Sequence, residues 1–433
     1  MPSDTPWDWP FESVLWFVRT ALRLHYEKMP RAQQPGASLA EKEEGSGQAH
    51  ASALEYICAM VDALCSLFRT DGNELGIGAG VDKRGTVERA ISIVARTLLY
   101  NNEYNDIQPY LVVPSRGASS SDLKSAVEGL SSKIAAQDLL PLLILDSTAE
   151  AIGRFLSQEK NLDVNKRNRL FGAPLYNAAI TNNSAVLRLL LSTGADPNQT
   201  GGRWHTALHA SLASPTTTST ESLSLLLTAG ADINAQGGGS RNGNRTPIMT
   251  ASHHENTAAV ELLLSQPHLD ITRICSYEDS IVNYIARAGD VDNFRKLLEL
   301  YDSPPPDGGS SSSSSRRPPN GDVDFNALLK NEGLDGTALH SAMNLHRDSL
   351  TDGHDAIVEI LLARGMSPLR IASGAETSVV GWAEAMRAEA QEEDEEDFKE
   401  DELPAAVRRI LRWWQEWEEL SLEERRATGL LNR

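Results

Sequence analysis

The sequence predicts an all-α chain built from repeats, and three recurring features predict it. The first is a short motif, Thr206-Ala207-Leu208-His209, with a small residue at Ser211. It returns as Ala173-Pro174-Leu175-Tyr176 with Ala178, as Thr246-Pro247-Ile248-Met249 with Ala251, and as Thr337-Ala338-Leu339-His340 with Ala342. The second is an apolar triplet after each copy, at 189–191, 225–227, 262–264 and 360–362. The third is Gly-Ala-Asp after two of the triplets, at Gly194 and Gly230. Glycine there supplies the left-handed residue that ends a helix.

Together these features resemble the ankyrin repeat, whose first helix carries Thr-Pro-Leu-His-x-Ala and whose length is about 33 residues. Thr206 follows Ala173 by 33 residues. The resemblance covers about residues 136–433. It implies an all-α fold with short β-hairpin fingers, an ankyrin-repeat solenoid preceded by a helical N-terminal domain. One unit cannot bury its apolar triplet alone, so units must stack. Weak copies complete the array: Leu140-Pro141-Leu142 with Asp163-Val164-Asn165, then Ile281-Val282-Asn283-Tyr284 with Ala286 and Leu297-Leu298. A last copy starts near Thr377, has Trp382 at the small position, and finds its second helix at Ile410-Leu411. The count is about seven repeats, the first and last degenerate and expected to cap the array.

Residues 1–130 show no repeat and belong to no recognised family. Helical periodicity runs through Phe11–Tyr26, Ala53–Phe68 and Val87–Tyr100, and extends to Asp122–Ala135. The stretches 30–50 and 114–121 are polar and rich in Gly and Ser. This reads as a small helical domain, or as a helical extension packed on the first repeat.

Four intervals are stretched. Extra residues fall between first and second helices at Ser214–Ser219, at His346–His354 and in an acidic loop at 391–402. The fourth is the Pro/Gly/Ser segment 303–322, whose composition cannot bury a core and predicts a disordered finger.

Composition excludes several classes. The 433 residues carry a formal charge of −20, which argues against direct nucleic-acid binding. Only short basic patches occur, at Lys166-Arg167-Asn168-Arg169 and Arg316-Arg317. The three cysteines, Cys58, Cys65 and Cys275, form no disulfide framework and fit a reducing compartment. No apolar run reaches membrane-spanning length, and the acidic N-terminus is unlike a secretory signal. The expectation is an intracellular protein, cytoplasmic or nuclear, with no membrane contact and no cofactor.

Candidate chemistry is thin. Gly76-Ile77-Gly78-Ala79-Gly80 follows a helix rather than a strand, and Gly80 to Thr86 lacks the lysine of a phosphate loop, so a helix connection is the better reading. His253-His254-Glu255 lacks metal-ligand spacing and reads as a polar patch on a first helix or its turn. On the resemblance, His209 and His340 hydrogen-bond neighbouring backbone. Cys58 and Cys65 read as buried apolar residues. The acidic run Glu392–Asp397 with Glu400, Asp401 and Glu402 reads either as a solvated loop or as a docking tail for a basic partner such as a histone. Ser310–Ser315 beside Arg316-Arg317 reads as a linker or a phosphorylation site.

The candidate partner-binding residues are Arg203 and Trp204 on one finger, Arg241 and Arg245 on the next, and Trp413 on an amphipathic C-terminal helix. Trp and Arg are over-represented among interface hot spots. In the helix, Val407, Ile410, Leu411, Trp414 and Trp417 share one stripe and Trp413 stands partly outside it. On the resemblance, partners bind in a groove formed by exposed fingers and the concave helix face. The reading is a non-catalytic scaffold or adaptor that binds a protein. Alternatives are a transcription coregulator bound to a DNA-bound factor, and an enzyme whose site lies in residues 1–130.

Overall fold

Paired helices dominate the chain because each repeat is interrupted twice, once by a tight turn and once by a finger. The computed structural model describes residues 14, 18–19, 53–70, 83–101, 136–159, 161–168, 170–213, 220–237, 243–302, 333, 336–343, 349–371, 377–393 and 399–427. In chain order the helices are α1 (Ala53–Thr70), α2 (Lys83–Asn101), α3 (Ala136–Leu143), α4 (Ala149–Gln158), α5 (Pro174–Ile180), α6 (Ser184–Ser192), α7 (Ala207–Leu212) and α8 (Glu221–Thr228). There follow α9 (Pro247–His253), α10 (Thr257–Leu264), α11 (Ile281–Ala288), α12 (Val291–Asp302), α13 (Ala338–Met343), α14 (Asp352–Ala363), α15 (Val379–Glu393), α16 (Ala405–Glu419) and α17 (Leu422–Ala427). Among the described residues, α3 to α16 make seven consecutive first-helix and second-helix pairs. The chain divides into two compact units, residues 1–211 with 224–231, and residues 212–223 with 232–433.

The turn inside a pair is set by two adjacent residues. Asn182 and Glu255 adopt φ of 50° and 55°, which stops α5 and α9. The next residue caps the following helix: Asn183 accepts the Val186 N–H at 3.2 Å and Asn256 accepts the Ala259 N–H at 3.1 Å. Gly289 and Asp290 do the same between α11 and α12, with φ of 65° and a 3.2 Å bond from the Asn293 N–H.

The second helices end on glycine for a stated reason. Gly194 sits at φ 93°, its N–H reaches the Leu191 carbonyl at 3.1 Å, and the Ala195 N–H reaches Leu190 at 3.0 Å. These are the two bonds of a Schellman cap. Asp-x-Asn then ties neighbouring repeats together. Asp163 and Asp196 each accept the N–H two residues on, at 2.9 Å, and so orient the asparagine. Asn165 donates to the Gly194 carbonyl at 3.0 Å and accepts the Asp196 N–H at 2.7 Å. In the second unit Asn234 repeats this with His268 and Asp270, at 2.7 and 2.8 Å.

The apolar triplets are buried only in part. Leu190, Leu226 and Leu361 are at 0 % exposure, whereas their flanking leucines and Ile360 are half-exposed. Three consecutive helical residues sweep about 200°, so they cannot all face the core: one does in these three triplets, joined by residues one turn earlier, while in 262–264 both Leu263 and Leu264 are buried. In α6 those are Val186 and Leu187.

In the first unit, α1 and α2 pack together, and α2 packs on α3 and α5. Arg89 pairs with Asp146, and Asn101 donates to Asn177 at 2.9 Å. Cys58 and Cys65 are buried in α1. Stack ends need such cover, because a terminal repeat has no neighbour to bury its apolar face. In the second unit the first helices α9, α11, α13 and α15 form one layer and the second helices α10, α12, α14 and α16 the other.

Several expectations change. The fingers are hairpins closed by single bridges, at 168/172, 200/206, 237/245, 274/280 and 333/336. The fifth copy begins at Ser280, not Ile281: Ser280 caps α11 and Asn283 occupies the histidine position, accepting the Ser280 N–H at 3.1 Å. The 346–354 insertion is partly helix, since α14 starts at Asp352 and His354 is buried within it. The 391–402 loop shrinks at both ends, with residues to Glu393 in α15 and Glu400–Glu402 in a single 3-10 turn. Gly85 and Thr86 lie in the opening turn of α2. The segments 30–50, 114–121, 122–135, 214–219, 303–322 and the glycines 76–80 lie outside the described residues.

Candidate partner-binding site

The first candidate finger is drawn down by a tyrosine. A bridge between Thr200 and Thr206 closes the turn. Gly202 sits at φ 69° directly over the Tyr176 ring, where a Cβ would lie 2.4 Å from Cζ. The Tyr176 hydroxyl accepts the Trp204 N–H at 3.1 Å and donates to the Tyr100 carbonyl at 3.0 Å. Burial raises its pKa, so it stays a neutral donor.

Trp204 is therefore not an exposed contact. It is 7 % exposed, and its backbone N–H is held by the buried Tyr176 hydroxyl. Arg203 lies across that ring, its Cζ 5.1 Å from the centroid, and is half-buried. His205 follows at φ 81°, and burial, then the charge of Arg167, lower its pKa.

The second unit holds the richer constellation. Arg245 ends its finger, bridged to Gly237. Its Nε donates to the Tyr284 hydroxyl at 2.8 Å, and its Cζ is 5.4 Å from the Tyr284 ring centroid. Arg287, one turn along α11, stands 5.5 Å from the same centroid and pairs with Asp279 at 3.4 Å. His253, at the end of α9, meets the Tyr284 ring edge-on at 6.3 Å. Desolvation first, then the charges of Arg245, His254 and Arg287, push its pKa down to about 4. Cys275 is buried with its sulfur 3.7 Å from the Tyr284 hydroxyl. Arg241 lies outside the described residues.

The motif histidines are structural. His209 and His340 are buried, and each Nδ1 shares a 2.8 Å bond with the threonine of its own motif, Thr206 or Thr337. His340 Nε2 also reaches the Arg370 carbonyl at 3.1 Å. Among the described residues no group of His, Cys, Asp and Glu could hold a metal ion.

A family model for the ankyrin repeat matches residues 173–201. That segment runs from the start of α5 through α6 into the finger at Thr200, the unit that the other pairs repeat. Residues 173–201 form an ankyrin repeat. No curated protein matches the chain. Among solved structures, the human ASB11 ankyrin repeat domain is similar at 18% identity and a TM-score of 0.39, over 57% of this chain and 90% of that one. The ankyrin repeat domain of Bcl-3, a member of the IkappaB family, is similar at 21% identity and 0.39, over 55% and 90%.

The last helix pair treats its tryptophans differently from the expected stripe. Val407, Ile410, Leu411 and Trp417 are buried, and Trp414 is half-buried. Trp413 is also half-buried, its ring nearly parallel to Trp417 at 6.3 Å. Trp414 stacks on Trp417 at 5.6 Å, and Arg425 of α17 covers Trp417 at 4.5 Å. Two carboxylates of the acidic run face arginines, Glu400 to Arg387 at 3.8 Å and Asp401 to Arg408 at 3.9 Å.

Tyr284, Arg287, Asp279 and His253 are the site residues that pattern reading missed as a group. The one-residue register slip at Ser280 hid them. It placed Tyr284 at the histidine position of the motif rather than after it, where it can face a finger.

Proposed function

We propose that this chain is a non-catalytic protein-binding adaptor, and that its partner seats on the side formed by the fingers and first helices. Ankyrin repeats generally mediate protein–protein binding. One observation supports the location in the second unit: a finger residue, Arg245, is bonded to a first-helix residue, Tyr284, with Arg287 and His253 around the same ring. Rings and guanidiniums held in place before binding lose little entropy on contact, and such residues dominate interface energies. Arg203 is the finger arginine of the first unit, and Trp413 remains a secondary candidate.

The test is affinity capture from the source cells with the full chain. Arg203→Ala with Arg245→Ala is compared with Arg295→Ala with Lys296→Ala on the second helices. A partner lost only with the finger pair supports the reading. A partner kept by the finger variant moves the site elsewhere, and the absence of any specific partner removes the adaptor reading.

A further inference from the structure

We propose that the seam between α3 and α5 is a helix-binding site that the chain fills with its own α2, so that a partner engaging the first unit must displace the α1–α2 pair. This rests on the binding side argued above and adds what competes for it.

α2 precedes the repeats, yet it packs on the first helices of two successive pairs. Its course is fixed at both ends. Arg89 and Arg96, two turns apart on one side of the helix, both pair with Asp146 in the turn that follows α3, Arg96 at 3.5 Å. At the other end Asn101 lies against Gly172, which closes the first finger, and donates to Asn177 of α5 at 2.9 Å. The Tyr100 carbonyl accepts the Tyr176 hydroxyl. α2 therefore runs from turn to finger along the first-helix layer, the place argued above for a partner.

The array keeps its own bonds without α2. Asn177 Nδ2 donates to the Pro141 and Phe171 carbonyls at 2.8 and 2.9 Å, and the Tyr176 hydroxyl still accepts the Trp204 N–H. Asp146 is partly exposed and regains water. A seat already bonded in this way loses little order when it is filled again. α2 is held less completely. Its two ion pairs are partly exposed and open to screening. Asn101 Oδ1 is buried with no hydrogen-bond donor among the described residues, which a permanent core contact would supply. The connection through residues 102–135 is long enough for the pair to lift while α3 stays in place.

The test compares the full-length protein with an Arg89→Glu, Arg96→Glu variant, which sets two carboxylates against Asp146. Hydrogen exchange should quicken by at least about tenfold in α2 and stay within about twofold in α4 and α6, the second helices of the same unit. A fluorescein-labelled peptide of residues 53–101 should bind the variant at least about tenfold more tightly than the parent, because the tethered copy no longer competes. The same peptide carrying both Glu substitutions should fail to bind the variant until Asp146→Arg is added to that protein. Unchanged exchange in α2, or equal peptide binding to parent and variant, overturns the proposal. So does loss of protection in α4 and α6 together with α2, which would make α2 a permanent cap of the fold. Affinity capture with the same two proteins separates this from the adaptor reading. A partner captured more by the variant supports the competition, and equal capture overturns it while the adaptor reading stands. No partner with either protein removes the adaptor reading and leaves the peptide result to decide the seam.

Discussion

The Tyr176 hydroxyl accepts the backbone N–H of Trp204 at 3.1 Å across 28 residues, and this bond decides which way the finger's aromatic points. The same oxygen donates to the carbonyl of Tyr100 on α2. One phenol thus joins the N-terminal helices, the first helix of a repeat and the next finger within a single unit. Tyr176→Phe should leave a buried N–H and a carbonyl without their partner and cost about 1–3 kcal/mol in urea unfolding. Trp204 fluorescence should shift toward the red as the ring gains water. A variant as stable as the parent would show that the finger holds its place by packing alone.

Gly202 and Gly194 separate backbone strain from steric clash. Gly202 has φ 69° and a ring 2.4 Å from any added Cβ, whereas Gly194 has φ 93° with nothing within 4 Å. Gly194→Ala should cost about 1 kcal/mol, the price of a left-handed residue with a side chain. Gly202→Ala should cost clearly more, because Tyr176 must also move. Equal losses in thermal melts would mean that the Tyr176 ring yields freely.

Within one apolar triplet, leucines should differ sharply. Leu190→Ala removes a side chain at 0 % exposure and should cost about 2–5 kcal/mol. Leu189→Ala removes a half-exposed one and should cost about half as much or less. Chemical denaturation of the two single variants decides the point, and matching losses would contradict the placement of α6.

Acid should weaken the second unit before its carboxylates titrate. His253 and His354 both have folded pKa values below the ordinary 6.5. The unfolded chain therefore binds more protons as pH drops below 6.5, and stability falls from there toward about 4. For His354, burial is the main cause of the shift. Its Nδ1 accepts the Thr351 N–H at 3.0 Å and its Nε2 donates to the Arg287 carbonyl at 3.0 Å, so protonation destroys the cap of α14. His354→Gln keeps a cap acceptor at the same position without a titrating group. Melting temperatures at pH 7 and pH 5 should differ less in this variant than in the parent, and an unchanged pH response would remove His354 from the account.

Arg409 should anchor the last pair to the one before it. Its guanidinium grips Asp355 at 2.6 and 2.8 Å and reaches Glu359 at 3.3 Å. A double-mutant cycle of Arg409→Gln and Asp355→Asn should give a coupling of about 1 kcal/mol that falls with added salt. A coupling near zero would leave the burial of Ile410 and Leu411 as the whole of that contact.

Much of this architecture was legible locally. The recurrence of Thr-x-Leu-His, the glycines at 194 and 230 and the asparagines at 165, 198 and 234 each report a hydrogen bond closed within a few residues or with the next repeat. Such bonds need a particular residue type at a particular place, so they mark the sequence. The slip at Ser280 shows the limit: Ser and Ile can each begin a first helix, and only the cap made with Asn283 chooses between them.

What the sequence determined by itself is the period, the pairing of helices, the caps and the structural role of the motif histidines, because these depend on nearest neighbours. What the tertiary structure decided is which side chains remain for a partner. Trp204 looked exposed and is buried, while Tyr284, Arg287 and His253, unremarked as a group, gather around Arg245. Those outcomes depend on residues brought together from 28 to 42 positions apart along the chain, from Tyr176 to Trp204 and from Arg245 to Arg287. The energy of burying a ring or holding a cation is set by such neighbours, and no local pattern encodes it.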